Sequence, residues 1–259
     1  MPLTELTEKQ LWDEMYQRSR RRFPVPRPDL FRLHFELDRT FKALFSRQSG
    51  LKLLEVGCGD SVWLPYFNLE FGYQVEGIDY SEVGCDLARQ NLNKAGVQGN
   101  VFCQDIFHLG SEFDQRYDIL ISFGVIEHFE QPVQLIGILS RLLKPGGRMF
   151  TYIPNLKSVA AIIMRFIDRN FYDSHFVIQM SELQNYHSQN GMIVECSMYF
   201  QFLDFSILGF TAWPLWLRLG ATRVIKLMDL LPLYFFKLTG IKFQSPKFSS
   251  SMAVLACKA

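Results

Sequence analysis

The stretch Leu51-Lys52-Leu53-Leu54-Glu55-Val56-Gly57-Cys58-Gly59-Asp60 decides how this chain folds. Residues 51–56 are mostly apolar, which is typical of a buried β-strand, and the glycines that follow predict a sharp turn. Glycine has no Cβ, so its backbone can turn tightly and approach a ligand closely. We expect a helix directly after the turn, and its first backbone N–H groups lack intrahelical partners. The stretch therefore predicts a strand–turn–helix unit that suits a nucleotide-bearing cofactor.

Strands and helices alternate along the chain from residue 51 onward. Amphipathic helical patterns, such as the one over residues 82–95 with Ser81 as its N-cap, separate short apolar runs. This alternation predicts an α/β fold, with a mostly parallel sheet and helices on both faces. The predicted strands cover residues 51–56, 74–78, 100–103, 117–123, 148–153, 192–202 and 251–257.

The chain divides into four predicted parts. A connection of about fifty residues between the last two strands is too long for an ordinary loop, so we expect an inserted helical segment there. Pro232 is expected to break its helix. The parts are an N-terminal helical cap (1–50), a cofactor-binding core (51–202), an apolar helical insertion or lid (203–250) and the final strand of the core sheet (251–259).

Two acidic residues follow neighbouring predicted strands. In an open α/β sheet, ligands bind beyond the carboxyl ends of the strands. Asp79, at the end of the second strand, can accept hydrogen bonds from both hydroxyls of a ribose. Asp105, after the third strand, can accept from the amino group of a base, while the Ile106 N–H donates to a ring nitrogen. Taken singly, each aspartate also fits a helix cap or a turn.

The turn after the fourth predicted strand, Ser122-Phe123-Gly124-Val125-Ile126-Glu127-His128-Phe129, faces the same edge of the sheet. His128 is a candidate general base, because the ordinary pKa of histidine lies near neutrality. A buried histidine that holds the loop by hydrogen bonds is an equal alternative.

The net charge and the cysteines of the chain limit the partners and sites that it can have. A formal net charge of +1 gives no electrostatic basis for a nucleic-acid partner. The five cysteines form no CxxC pair and show no metal-ligand spacing, which predicts reduced thiols and no metal site. The N-terminal residues contain no apolar signal run. We therefore predict a cytoplasmic protein.

Residues 55–59, Asp79, Asp105 with Ile106, and residues 126–129 and 143–147 together resemble the class I S-adenosylmethionine-dependent methyltransferases. The similarity is to the small-molecule type, which includes quinone and sugar methyltransferases, and it covers roughly residues 51–155. It implies a Rossmann-like seven-stranded sheet, S-adenosylmethionine as the cofactor and a small-molecule methyl acceptor. This family often has a third glycine where the chain has Ser61, for which we expect a slight adjustment of the turn.

The resemblance implies a role for each matching residue. The glycine turn would lie against the methionine part and the ribose, Asp79 would hold the ribose hydroxyls, and Asp105 would bond the adenine amino group. Phe123 and Gly124 would line the floor near the sulfonium. The implied cofactor-binding residues are Glu55, Gly57, Cys58, Gly59, Asp79, Tyr80, Asp105, Ile106, Phe123 and Gly124.

Methyl transfer requires alignment of the acceptor atom, the methyl carbon and the sulfur, and it requires a base only when the acceptor arrives protonated. Tyr16 lies in a predicted helix that could close over the cofactor. For each candidate a packing or surface role stays open, and for His187 packing is favoured. The candidates for accepting a proton or orienting the acceptor are His128, His175, Tyr172 and Tyr16.

Residues 203–250 are rich in leucine and aromatic residues and carry six Lys or Arg against two acids, Asp204 and Asp229. One interpretation is a lid over a lipophilic acceptor, and another is a peripheral contact with an anionic membrane. A core extension or a homodimer interface would bury the same side chains. All of these interpretations remain open at this point.

Two other functions compete with methyl transfer. The first is a non-catalytic module of the same fold that docks a partner or a membrane through residues 203–250. The second is a nicotinamide-dependent oxidoreductase, which the sequence disfavours because Val62 occupies the third small position of the dinucleotide-binding pattern G-x-G-x-x-G/A.

Overall fold

The computed structural model describes residues 9–17, 23–204 and 215–259 and centres on a seven-stranded sheet. The strands are β1 Lys52–Val56, β2 Gln74–Asp79, β3 Gly99–Cys103, β4 Tyr117–Phe123, β5 Leu143–Pro154, β6 Met192–Phe202 and β7 Ser249–Lys258. Their order is β3-β2-β1-β4-β5-β7-β6, and only β7 runs antiparallel to its neighbours. The predicted mostly parallel sheet is confirmed. Because the strand order reverses between β1 and β4, their carboxyl ends open a crevice there.

Helices cover both faces of the sheet. The described part of the chain contains α1 Lys9–Gln17, α2 Arg32–Leu44, α3 Trp63–Phe71, α4 Glu82–Ala95, α5 Pro132–Leu142, α6 Val159–Ile167, α7 Arg169–Asp173, α8 Met180–Gln189 and α9 Leu215–Thr239.

Local chemistry explains where α4 begins and ends. The Ser81 side chain accepts a hydrogen bond from the Gly84 N–H at its start, and Gly96 ends it with a left-handed φ of 68°. These are the predicted bounds. α3 begins differently, because its N-cap position is Val62, whose side chain makes no capping hydrogen bond. The hydroxyl oxygen of Ser61 instead accepts from the Trp63 N–H at 2.9 Å.

Successive side chains of each strand point to opposite faces of the sheet, so a hydrophobic core forms on each face. On one face, Leu53 of β1 joins an aromatic cluster in which Phe41 of α2 packs on Phe67 and Phe150, with ring centroids 4.9 and 5.1 Å apart. On the other face, Leu54 joins the buried leucines and isoleucines of α5. The sheet is therefore buried on both sides, as a parallel sheet requires.

The chain between β6 and β7 contains α9, which packs on α2. Within it, Leu233 and Phe236 are buried, and the Phe236 ring lies under the Arg32 guanidinium at 5.0 Å. The predicted break at Pro232 is wrong, because one helix continues through it. Residues 205–214 of the predicted insertion lie outside the described residues. None of the described helices has the length and apolar character that crossing a membrane requires.

His187 has the packing role that the sequence favoured. It is fully buried on α8, with Nε2 3.0 Å from Thr151 Oγ1 and Nδ1 2.8 Å from the Leu183 carbonyl oxygen. Burial lowers the pKa of His187 below its ordinary value. The folded protein therefore holds this imidazole neutral at a pH where the unfolded chain protonates it.

We expect this burial to make the free energy of unfolding fall as the pH drops below about 6.5. One such group contributes a slope of up to about 1.4 kcal/mol per pH unit, until the pH reaches the lowered pKa of the folded state. Urea denaturation between about pH 8 and about pH 5 measures this slope. His187→Gln, which cannot titrate, should reduce the slope, and an unchanged slope would contradict the expectation.

Candidate active site

β1 ends in the predicted glycine turn, and two hydrogen bonds fix the turn to β2. The N–H groups of Gly57 and Cys58 both donate to the carbonyl oxygen of Ile78, at 2.9 and 3.1 Å. Gly57 has a φ of 68°, and a Cβ at this position would collide with the Val125 side chain. Both the backbone conformation and the close packing therefore require glycine here.

Asp79, at the end of β2, organises the same turn and is 5% exposed. Its Oδ2 accepts from the Gly59 N–H and its Oδ1 accepts from the Ser81 N–H, each at 2.8 Å. Burial raises the pKa of Asp79, while these N–H groups and the Tyr16 hydroxyl oppose the rise. The carboxylate also lines a cleft, where its remaining lone pairs can accept from ligand hydroxyls.

Ser61 is tied into the turn by its side chain. Its Oγ donates to Glu55 Oε2 at 2.6 Å and accepts from the Trp63 N–H. The serine that stands where the family often has glycine therefore adds two hydrogen bonds to the turn. Glu55 and Cys58 are both buried, and neither lines the cleft. They support the turn in this structure, and their direct contact with a cofactor stays a prediction.

Asp105 has the capping role and also lies in the cleft, and its bond to a base stays a prediction. It caps the short helix Ile106–His108, because its Oδ1 accepts from the Phe107 N–H at 2.9 Å, and its Oδ2 lies 2.8 Å from His108 Nδ1. It also lines the cleft, together with Ile106 and Tyr80. A carboxylate has about four lone-pair positions, so an amino group can still bond to it.

The turn after β4 forms the floor of the cleft. Phe123 and Gly124 line it, and Gly124 has a φ of 66°. His128 also lines it, and its Nδ1 lies 3.1 Å from the Ser174 carbonyl oxygen. Burial and the neighbouring His175 lower the pKa of His128 to about 3, so its imidazole is neutral at physiological pH.

Helix α1 lies across the cleft from His128 to Asp79. The Trp12 ring meets the His128 ring edge-on, with centroids 4.9 Å apart, and the Tyr16 hydroxyl lies 3.5 Å from Asp79 Oδ2. Asp13 accepts a hydrogen bond from the Ser81 hydroxyl, which attaches α1 to the start of α4. Trp12 is a site residue that the sequence did not reveal, because only the packing of α1 shows which of its faces meets the cleft.

Of the remaining candidates, His175 joins the site and Tyr172 does not. The rings of His175 and His128 lie 4.5 Å apart, centroid to centroid. Tyr172 packs against a small cluster on α6 that includes Met164, and the Arg165 guanidinium lies 5.7 Å from its ring. Tyr172 does not line the cleft and has the packing contacts of the alternative interpretation, so its catalytic role stays a prediction.

The cleft fits S-adenosylmethionine. It is partly open to solvent and is lined by two carboxylates, Asp79 and Asp105, among aromatic and aliphatic side chains. The contact between the Tyr16 hydroxyl and Asp79 Oδ2, at 3.5 Å, is long for an O–H···O hydrogen bond. A ribose hydroxyl can therefore form a shorter hydrogen bond to the same carboxylate. The predicted residues that line the cleft are Tyr16, Gly57, Asp79, Tyr80, Asp105, Ile106, Phe123, Gly124 and His128.

Comparison with known proteins identifies the family. A family model described as a methyltransferase domain matches residues 30–199. The chain belongs to this methyltransferase family. The ubiquinone biosynthesis O-methyltransferase of Proteus mirabilis is 26% identical over 177 residues, which cover 65% of this chain and 70% of that protein. The enzyme of the same name from Coxiella burnetii is 30% identical over 151 residues, which cover 55% and 64%.

The chain spans about two thirds of the length of these curated relatives. Among solved structures, phosphoethanolamine N-methyltransferase 2 of Haemonchus contortus, in complex with S-adenosyl-L-methionine, has a TM-score of 0.61 at 17% identity. The match covers 86% of this chain and 52% of that one, and it shows a shared fold.

The predicted class is thereby confirmed: this methyltransferase has the Rossmann-like fold, depends on S-adenosylmethionine and acts on a small-molecule acceptor. The alternative of a non-catalytic binding module is not favoured.

We expect Asp79→Asn to weaken the binding of S-adenosylhomocysteine about 10- to 100-fold. A hydrogen bond to a charged group contributes roughly 1.5–3 kcal/mol, and the amide cannot accept from both ribose hydroxyls and also hold the turn. Isothermal titration calorimetry measures the effect. Asp86→Asn is the matched control, because the Asp86 side chain is 69% exposed on α4 and lies outside the cleft. Equal affinity in wild type and Asp79→Asn would contradict the assignment.

Proposed function

We propose that this methyltransferase methylates a hydroxyl oxygen of a lipophilic small molecule. The lining of the cleft carries the proposal: beside the carboxylates suited to adenosine, its wall is mainly aromatic and aliphatic. Such a wall favours an apolar acceptor, because burying apolar surface contributes about 25 cal/mol per Å². Oxygen is the acceptor atom because the two curated relatives are O-methyltransferases. The apolar wall residues are Trp12, Val56, Ile78, Phe123, Val125 and Phe129.

S-adenosylmethionine, when bound, supplies a methyl group on a positively charged sulfur that an oxygen attacks in line. The protein contributes alignment and exclusion of water, which can supply much of the rate enhancement. Phe123 and Gly124 line the cleft where the reacting atoms would lie. Trp12 and Tyr16 of α1 close the cleft from the other side.

His128 is suited to orienting the acceptor hydroxyl. The Ser174 carbonyl oxygen can only accept a hydrogen bond, so His128 Nδ1 carries the proton and Nε2 carries the lone pair. This lone pair can accept from the acceptor hydroxyl. Because burial lowers the pKa of His128 to about 3, the imidazole is a weak base, which favours positioning over removal of the proton.

A labelling experiment tests the acceptor class. Cell extract is incubated with the protein and S-adenosylmethionine that carries a labelled methyl group, and is then partitioned between water and organic solvent. We expect label in the organic phase that Asp79→Asn reduces in parallel with its loss of cofactor affinity. Label confined to the aqueous phase would rule out a lipophilic acceptor.

We also propose that α9 rests on an anionic membrane surface from which the acceptor arrives. The helix is anchored by Leu233 and Phe236, while apolar side chains on its other faces are exposed, up to 85% at Leu238. Arg223 and Lys237 of the same helix, and Lys247 beyond it, are exposed too, and basic residues beside apolar ones are typical of helices that lie in the interface of anionic lipid. We define the α9 apolar surface as Trp216, Val224, Leu227, Met228, Leu231, Tyr234, Phe235 and Leu238.

Vesicle flotation tests the membrane contact. We expect the protein to float with vesicles of phosphatidylcholine and phosphatidylglycerol, and Leu231→Glu with Leu238→Glu to reduce binding at least about tenfold, because a buried leucine contributes roughly 1.5–3 kcal/mol. Ile193→Glu is the matched control, since Ile193 is 63% exposed on β6, away from α9.

The outcome also separates the alternatives. A protein that stays with the aqueous fraction has no such membrane contact. A homodimer that the α9 substitutions dissociate, measured by light scattering, would assign the α9 apolar surface to a second copy of the chain. The cytoplasmic location stays a prediction.

A further inference from the structure

Cys85 of α4 and Cys103 of β3 form a pair of neighbouring thiols at the ends of β2 and β3. The Cys85 thiol lies 3.3 Å from the Asp79 carbonyl oxygen and 3.7 Å from that of Phe102, so it contacts both strands. Asp79 and Cys103 are partners in the register of these strands. The Cys103 thiol is also close enough to the Cys85 thiol for the two to share a hydrogen bond. Two thiols placed in this way can be joined by a disulfide after a small movement.

The two thiols differ in their access to solvent. Cys103 is exposed, whereas Cys85 is fully buried. Burial raises the pKa of Cys85, and the Arg89 guanidinium opposes the rise. This guanidinium also donates to the Val101 carbonyl oxygen at 2.8 Å, so a positive charge lies near the end of β3. Because oxidants react with accessible thiols near cations more readily than with buried ones, we expect Cys103 to react first and Cys85 second.

The position of β3 in the sheet allows the movement that a disulfide requires. β3 lies at the edge of the described sheet and pairs with β2 alone. None of the residues of β3 is buried, so a shift of its end disturbs little packing. The sulfur atoms of a disulfide lie about 2.0 Å apart, and rotation of the Cys103 side chain with a small shift of the strand end can bring them together.

We propose that Cys85 and Cys103 form a reversible disulfide when the protein meets hydrogen peroxide, and that this bond weakens cofactor binding. In the first step the Cys103 sulfur attacks one peroxide oxygen, the O–O bond breaks, and the products are a sulfenic acid and water. In the second step the Cys85 thiol loses its proton, and its sulfur attacks the Cys103 sulfur. The S–O bond breaks, and the hydroxide leaves with that proton as a second water. The two thiols are oxidised by two electrons in total, and the peroxide is reduced to two waters.

The disulfide acts on the cleft through the residues beside it. Gln104 and Asp105, which follow Cys103 in the chain, both line the cleft. The Gln104 N–H and the Cys85 thiol both donate to the Asp79 carbonyl oxygen, at 3.0 and 3.3 Å. The disulfide removes the thiol donor and displaces the segment that carries Asp105. The effect on the cofactor rests on the predicted bond of Asp105 to adenine, whereas the formation of the disulfide does not.

Peroxide treatment of the full chain tests the pair. The reduced protein is freed of reductant and treated with hydrogen peroxide, its remaining thiols are blocked with N-ethylmaleimide, and its peptides are mapped by mass spectrometry. We expect a linked peptide that joins Cys85 to Cys103. Calorimetry should show about tenfold weaker binding of S-adenosylhomocysteine to the oxidised protein, since hydrogen bonds at the cleft are lost. Dithiothreitol should restore the affinity.

Two cysteine variants separate this pair from other oxidation. Cys103→Ser should bind S-adenosylhomocysteine as the reduced wild type does, both before and after peroxide. Its side chain is exposed and does not line the cleft, so we expect the variant to fold. Cys257→Ser is the matched control, because it removes a thiol of β7 and keeps the pair. It should lose affinity after peroxide as the wild type does.

Each other result overturns the proposal. Absence of a linked peptide, or a link from Cys85 to the buried Cys58, removes the pair. Unchanged affinity of the linked protein removes its effect on the cofactor, and an equal loss of affinity in Cys103→Ser assigns the effect to oxidation elsewhere. If the reduced wild type does not bind S-adenosylhomocysteine, the assignment of the cofactor site fails separately, and the linked peptide still decides the disulfide.

Discussion

The hydrogen bonds of the Asp79 carboxylate are the interaction on which the site depends. Through the N–H groups of Gly59 and Ser81, this one side chain joins the turn after β1 to the start of α4. Tyr16 of α1 reaches the same carboxylate. Because Asp79 is buried, these bonds act in a medium of low dielectric, where each is stronger than in water. The turn, the cofactor-facing acid and the covering helix therefore share one anchor.

The strand order of the sheet places the Asp79 carboxylate at the edge where the cleft lies. β1 and β4 are neighbours in the sheet although they are not consecutive in the chain. The connections that follow their carboxyl ends therefore diverge and leave a space between them. The side chains of Asp79, Asp105 and Phe123 come from three strand ends at this edge. A parallel sheet buried on both faces holds those ends rigidly, so the geometry of the cleft follows from the packing of the core.

The parts that could be predicted from the sequence depend on local chemistry. The bounds of α4 follow from Ser81 and Gly96, and the roles of Gly57 and Asp79 follow from their places at strand ends. The parts that could not be predicted depend on contacts between distant segments. Examples are the Ser61–Glu55 hydrogen bond, which needs the exact path of the turn, and the approach of His175 to His128, which no spacing in the chain indicates.

The difference between local chemistry and long-range contacts also explains why the part of the cleft expected to bind the cofactor is easier to assign than the part expected to bind the methyl acceptor. We call these parts the cofactor half and the acceptor half. Backbone N–H groups, glycines and the carboxylates of Asp79 and Asp105 would define the cofactor half, and all of them lie at strand ends that the fold sets. The proposed acceptor half is built from side chains of separate segments, such as Trp12, His128 and His175, which can change without altering the sheet. The fold alone therefore does not fix the methyl acceptor, and its identity must be argued from this chain's own side chains.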